Sequence, residues 1–407
     1  MHTAVFSAAL AAVLVPASLG AQSLNLTESD ALARLSTDSP RARVIRAAVD
    51  VTRVDVMTAG RWPNPLVTVD RESVAGVTEY LAMVSQPLPI TGRRSLDVQA
   101  ASTLVSASSS RVDDELRRLR ADLRLAFADL VAVQTREREL TAARDRLGEL
   151  AEVIAKREAA GDAAGFDRLR AEREVLDIDT DRVVATTDRA RAQAMLTSFL
   201  ADIPDPSRLV AVGRATVRAS VPTFEALIEQ AESSRGEWLA LTREIEAASF
   251  AERAADRRRV PEPEIRVGTK SSSVGGGDVG SVVTVHAAIP LFDRARPERA
   301  LARARTVQAQ ARAAAFRLVL RGQIAALRAA VVERRAAAER YRAQAVSSAD
   351  QIERIAQVSY DAGERGILEL LDAYRAGSSA RVRQATLDAA VRQAEIELEF
   401  ASGWEIQ

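Results

Sequence analysis

A mainly α fold with a small β part, arranged as two repeats of a long antiparallel helical hairpin plus a β-hairpin each, is predicted by three observations. The composition is that of long helices packed by small residues: aromatics are 4% of 407 residues, while 47% are apolar and 28% charged. The same punctuation occurs twice, as "AAGDAAGFDRLRAE" at 159–172 and "DAGERGILELLDAY" at 361–374, with an acid six positions after each glycine. Two proline pairs, "WPNPLVTV" at 62–69 and "VPEPEIRV" at 260–267, each stop a helical pattern and begin an extended one.

The N-terminal "MHTAVFSAALAAVLVPASLGAQS" carries an apolar run followed by Pro16 and small residues. It reads as a secretory signal over 1–21, too short to span a bilayer, although its leading segment holds His2 and no Lys or Arg. Beyond it no run of about 18 apolar residues marks a transmembrane helix.

The first repeat covers 22–200. Thr27 opens its first helix, which is expected to run to about Arg61. Alternating segments then give a β-hairpin over 64–87, and a coiled-coil hairpin follows over 93–200. Leu116, Leu119, Leu123, Ala126, Leu130, Val133, Leu140, Leu147 and Ile154 keep a heptad-like spacing there. About 65 helical residues reach roughly 100 Å.

A proline-containing linker fills 201–221, and 222–407 repeats the plan. Thr223 opens a helix running to about Arg259. The second β-hairpin covers 262–290, where Val283, Val285, Ala287 and Ile289 face one way and Val282, Thr284, His286 and Ala288 the other. A coiled-coil hairpin over 295–401 closes the chain, with the same spacing in Phe316, Leu320, Leu327, Val331, Tyr341, Ile352 and Ile355. Gly161 and Gly363 end the two outgoing helices, being able to adopt the left-handed conformation. The punctuation occurs twice because a helical hairpin occurs twice.

Several function classes are excluded. Lys plus Arg and Asp plus Glu are 56 each, so no overall basic charge serves nucleic acid. There is no cysteine, and the two histidines, His2 and His286, are too few and too far apart for a histidine metal site or a catalytic triad. His286 reads as a polar lumen-facing residue. No phosphate loop, nucleophile arrangement or metal cluster is visible, so neither an enzyme nor a cofactor is expected. Four short strands cannot close a barrel, and a bilayer forbids an open sheet edge, so strands in a membrane require several chains.

With "LTESDALARLSTDSPRAR", "RWPNPLVTV", "VSQPLPITGRRS", "REAAGDAAGFDRLRAE", "IPLFDRARPERA" and "SYDAGERGILELLDAYRA" in this order, the chain resembles the TolC-type outer-membrane efflux channels, nearest the branch serving heavy-metal pumps. The resemblance spans the whole mature chain. It implies a homotrimer, with a twelve-stranded β-barrel in the outer membrane lipid continued by an α-helical barrel across the periplasm of a Gram-negative-type bacterium. It also implies a passive duct opened by a periplasmic adaptor protein and an inner-membrane pump of the RND type. The hairpin turns would form the periplasmic tip, with Asp167, Arg365, Glu369 and Asp372 as gate residues and Gly161, Asp162, Gly363 and Glu364 at the turns where the adaptor docks.

Each gate residue also has an ordinary explanation. Acids in a helix's first turn are favoured by its macrodipole, and Arg365 and Glu369 at i, i+4 could form a surface pair. Trp62 and Tyr80 suit an interfacial aromatic belt. The alternative of a different class is a soluble periplasmic coiled-coil scaffold or adaptor, since adaptors carry long helical hairpins too.

Overall fold

The computed structural model describes residues 23–35, 39–161, 164–200, 202–213 and 220–404, so the expected secretory signal over 1–21 lies outside the described residues. The chain begins with a short strand, β1 (Leu24–Leu26), and two helices, α1 (Glu28–Arg34) and α2 (Pro40–Gly60). The Thr27 hydroxyl accepts the Asp30 N–H, and the Asp30 carboxylate accepts the Thr27 N–H, a reciprocal cap that satisfies two otherwise orphaned donors. A single helix from Thr27 to Arg61 was the expectation; instead Ser39 caps α2 afresh with Pro40 at its first position, a restart signal inside the pattern.

The strands β2 (Leu66–Val74) and β3 (Val77–Pro87) follow, joined by Ala75 and Gly76, both at positive φ. Helix α3 (Arg93–Ala159) then runs for 67 residues, about 100 Å, and α4 (Gly165–Thr197) returns along it. A short strand, β4 (Leu209–Ala211), pairs in parallel with β1, so the segment between the repeats is tied to the start of the chain.

The second half has α5 (Phe224–Ser234) and α6 (Gly236–Arg257), broken at Arg235, where one helix had been expected. Strands β5 (Glu264–Ser272) and β6 (Val279–His286) come next; residues 287–290 lie outside the strand that the alternation had carried to Pro290. The second outgoing helix is not continuous. α7 (Arg296–Tyr341) passes through a π-turn at Arg342–Val346 into α8 (Ser347–Asp361), and α9 (Ile367–Ser402) returns.

Contacts between helices place them in two tiers. Towards the sheet, α2 packs on α3, α3 on α6, and α6 on α7; towards the hairpin tips, α4 packs on α3, α3 on α9, and α9 on α8. Of the apolar clusters among the described residues, three hold the tiers. Leu26, Leu123, Leu130, Leu196 and Leu209 join the chain's opening to the first hairpin, and Leu227, Ile324, Val331 and Leu398 do the same in the second. The third lies at the tips.

The sheet is antiparallel in the order β2-β3-β5-β6, and its register sorts the side chains onto two faces. Val67, Val69, Val84, Val267, Val283 and Val285 share one face and are all exposed. Asp70, Glu72, Glu79, Arg266, Lys270 and His286 share the other, where Lys270 pairs with Glu79 at 2.7 Å. An apolar face that nothing in the chain covers, backed by a charged one, is the pattern of a strand between lipid and water. Among the described residues, β2 and β6 each leave one edge unpaired.

Candidate functional site

The two returning helices begin alike. Gly161 has φ 86° and Gly363 φ 74°, and each donates its N–H to a carbonyl of the last turn, Glu158 at 2.9 Å and Tyr360 at 3.0 Å. Six residues on, Asp167 and Glu369 each occupy the third position of the new helix, where the dipole favours a carboxylate. The Glu369 side chain lies back over its own N-terminus, so that a Cβ on Gly366 would meet its Oε2 at 3.0 Å.

The tips are packed side by side on a small apolar core of Leu147, Leu150, Ile154, Ile367, Leu370 and Leu371. Polar links cross between the hairpins around it. Arg157 donates to the Tyr360 hydroxyl at 2.8 Å, Arg170 lies 3.7 Å from Asp372, and Arg375 lies 3.6 Å from Glu174. Arg168 closes the first tip on itself through Glu158 and Glu172.

The expected site residues therefore fall in one region with unequal surroundings. Asp372 faces Arg170, a residue the sequence reading did not single out; nothing in a local pattern reveals a partner two hundred positions away. Among the described residues Arg365 forms no ion pair, with Glu369 or otherwise, and its N–H donates to the Ser359 carbonyl at 3.2 Å. Glu364, Arg365 and Glu369 are exposed, and Asp167 is half-buried. Asp162 lies outside the described residues.

Farther from the tip a second link fastens the hairpins together. Arg381 of α9 reaches Glu353 at 2.7 Å, Asp350 at 2.8 Å and Glu139 of α3 at 3.3 Å, and Arg146 of α3 reaches Glu353 at 3.4 Å. Among the described residues no group of His, Cys, Asp or Glu is arranged to hold a metal.

Residues 227–404 match the pattern of the family described as outer membrane efflux protein. The cobalt-zinc-cadmium resistance protein CzcC of Cupriavidus metallidurans is 24% identical over 346 residues, covering 82% of this chain and 80% of its own. Over its second half the chain is similar to outer membrane efflux proteins. Solved outer membrane proteins share the fold of this chain. The outer membrane protein VceC of Vibrio cholerae aligns with a TM-score of 0.76 at 15% identity, over 93% of this chain and 97% of that one. The CmeC outer membrane channel of Campylobacter jejuni aligns at 0.78 and 12%, over 92% and 85%. Of these, VceC is named as an outer membrane protein and CmeC as an outer membrane channel.

Proposed function

We propose that this protein is the outer-membrane exit duct of a tripartite pump, three copies of which share one twelve-stranded barrel. The observation that carries this reading is the four-stranded sheet, with an exposed valine face, a charged opposite face and two unpaired edges. Since β2 and β6 run antiparallel, β6 of one copy can extend the ladder to β2 of the next, and closure removes every edge.

The helical tiers support the same joint. The helices at the ends of each tier expose apolar residues: Val44 and Val51 on α2, Val307 and Leu318 on α7, Leu169 and Leu176 on α4, Ile352 and Ile355 on α8. In a ring of three copies, α7 meets the next copy's α2 near the membrane and α8 meets its α4 near the tips, each burying a stripe that water covers in one chain.

At the far end, Asp167, Glu369 and Asp372 would ring the axis as a gate, with Arg170 and Arg365 as the cations that tolerate them. The turns at Gly161 and at Gly363 and Glu364 are where a periplasmic adaptor would dock, coupling the duct to an inner-membrane pump of the RND type. An acidic entrance suits cationic cargo, and divalent metal ions are the first class to test given the resistance named for CzcC. No catalytic step is assigned.

Fractionation tests the assembly. The protein extracted from outer membranes with detergent should have the mass of three chains; a protein recovered in the soluble fraction as a monomer would overturn the reading.

A further inference from the structure

Where the sheet meets the rod, four helix ends lie together. α2 and α6 end there, α3 and α7 begin there, and contacts hold them in register. Arg94 donates to the Gly60 carbonyl and sits 5.1 Å over the Trp62 ring, Leu88 donates to the Pro263 carbonyl at 2.8 Å, and Arg299 reaches Asp256 at 2.6 Å. This junction is crowded with arginine. Arg61, Arg257, Arg294 and Arg296 are exposed there and form no ion pair among the described residues.

The charge is wrong for the helices that carry it. Arg93 and Arg94 open α3, whose first turn holds no acid, and Arg296 opens α7 two residues after Arg294, with Glu298 the only acid in that turn. A helix N-terminus is the positive end of the dipole and repels a cation; at α3 Glu262 already answers Arg93 at 3.1 Å, whereas at α7 Arg294 and Arg296 have no counterion among the described residues. An anion from outside the chain would remove the conflict.

The apolar residues beside these arginines say where that anion comes from. Ile90, Leu291 and Phe292 lie on the two connectors from sheet to rod and are 68%, 65% and 98% exposed. The connectors end alike, with Gly92 and Ala295 both at positive φ immediately before a helix that begins with arginine. The exposed valine face of the sheet continues towards this level through Ile289, which is 75% exposed. Bare apolar side chains next to unpaired arginines, at the end of a lipid-facing surface, match the boundary between acyl chains and phosphate headgroups.

We propose that the junction is a phospholipid-binding collar, in which Arg61, Arg257, Arg294 and Arg296 hold headgroup phosphates of the periplasmic leaflet while Ile90, Leu291 and Phe292 enter its acyl region. The proposal rests on the outer-membrane reading and adds to it the site that sets how deep the rod hangs.

The test is native mass spectrometry of the full-length protein in detergent, titrated with phosphatidylglycerol. The wild type should retain the lipid. Retention should weaken about fivefold for each arginine replaced by glutamine among Arg61, Arg257, Arg294 and Arg296, and should largely survive replacement by lysine. Phe292→Ser alone should lower retention while leaving the arginines in place. Unchanged retention in the fourfold glutamine variant, an equal loss on replacing Arg173 and Arg191 of α4, or displacement of the lipid by millimolar inorganic phosphate would each overturn the proposal. Failure of the channel reading shows separately, as wild-type protein that neither assembles nor floats with phosphatidylethanolamine and phosphatidylglycerol vesicles.

Discussion

Gly377 of α9 lies so close to Glu353 of α8 that a Cβ on the glycine would stand 1.6 Å from the carboxylate oxygen Oε1. That gap lets Glu353 cross the helix and meet Arg381 at 2.7 Å and Arg146 of the first hairpin at 3.4 Å. Gly377→Ala should therefore expel Glu353 from both arginines and destabilise the protein by about 1–3 kcal/mol. Gly148→Ala in α3, where nothing lies within 4 Å, should instead stabilise it by about 0.5–1 kcal/mol. Thermal unfolding of the two variants checks the contrast, and equal effects would argue against the crossing.

Asp114 joins the repeats near mid-rod. Its carboxylate accepts the Gly236 N–H at 3.0 Å and lies 3.2 Å from Arg235, which is 7% exposed and also donates to the Phe400 and Ala401 carbonyls. Burial already holds the Arg235 guanidinium below its ordinary range, against the pull of Asp114. Asp114→Ala should leave a buried cation without its counterion and cost about 3–5 kcal/mol, while Asp114→Asn, which keeps the acceptor for Gly236, should cost less. Denaturant midpoints distinguish them.

Glu28 supplies a pH dependence. Burial acts to raise its carboxyl, but Arg392 at 2.8 Å and Arg124 at 2.6 Å outweigh this and hold it below the ordinary value. A depressed carboxyl contributes stability that is fully present above its unfolded value and lost as pH falls through the folded one. Glu399, which shares Arg124, is pushed the other way by burial and takes up its proton earlier. Unfolding free energies measured from neutral pH down through the carboxylate range should therefore fall less steeply for Glu28→Gln than for wild type; parallel curves would count against the pairing.

Val283→Arg places a charge on the exposed valine face of β6 and should cost about 2–4 kcal/mol of membrane stability if that residue sits near the bilayer midplane. Thr284→Arg puts the same charge on the opposite face and should be tolerated. The recovery of assembled protein in the outer-membrane fraction compares them, and equal losses would contradict the assignment of faces.

Much of this was legible in the sequence because periodicity carries it. The valines of β6 alternate and the leucines of α3 recur every three or four residues, and both patterns follow from one covered face per element. What escaped has no local signature. β1 and β4 are three residues each and pair across the whole first repeat; the π-turn at Arg342–Val346 sits in an unbroken helical pattern. The restart at Ser39 and Pro40 lies inside one continuous helical pattern and shows only as a local cap. At the tips, Asp372 could be placed on its helix, whereas Arg170 could be recognised only after folding brought it near.

The central claim is a channel whose acidic tip controls passage. Planar-bilayer conductance of the detergent-purified protein tests it most directly, comparing wild type with Glu369→Ala plus Asp372→Ala. The account predicts a small, cation-preferring conductance that grows or loses its cation preference in the variant. Silence from both proteins after insertion into the bilayer would contradict it.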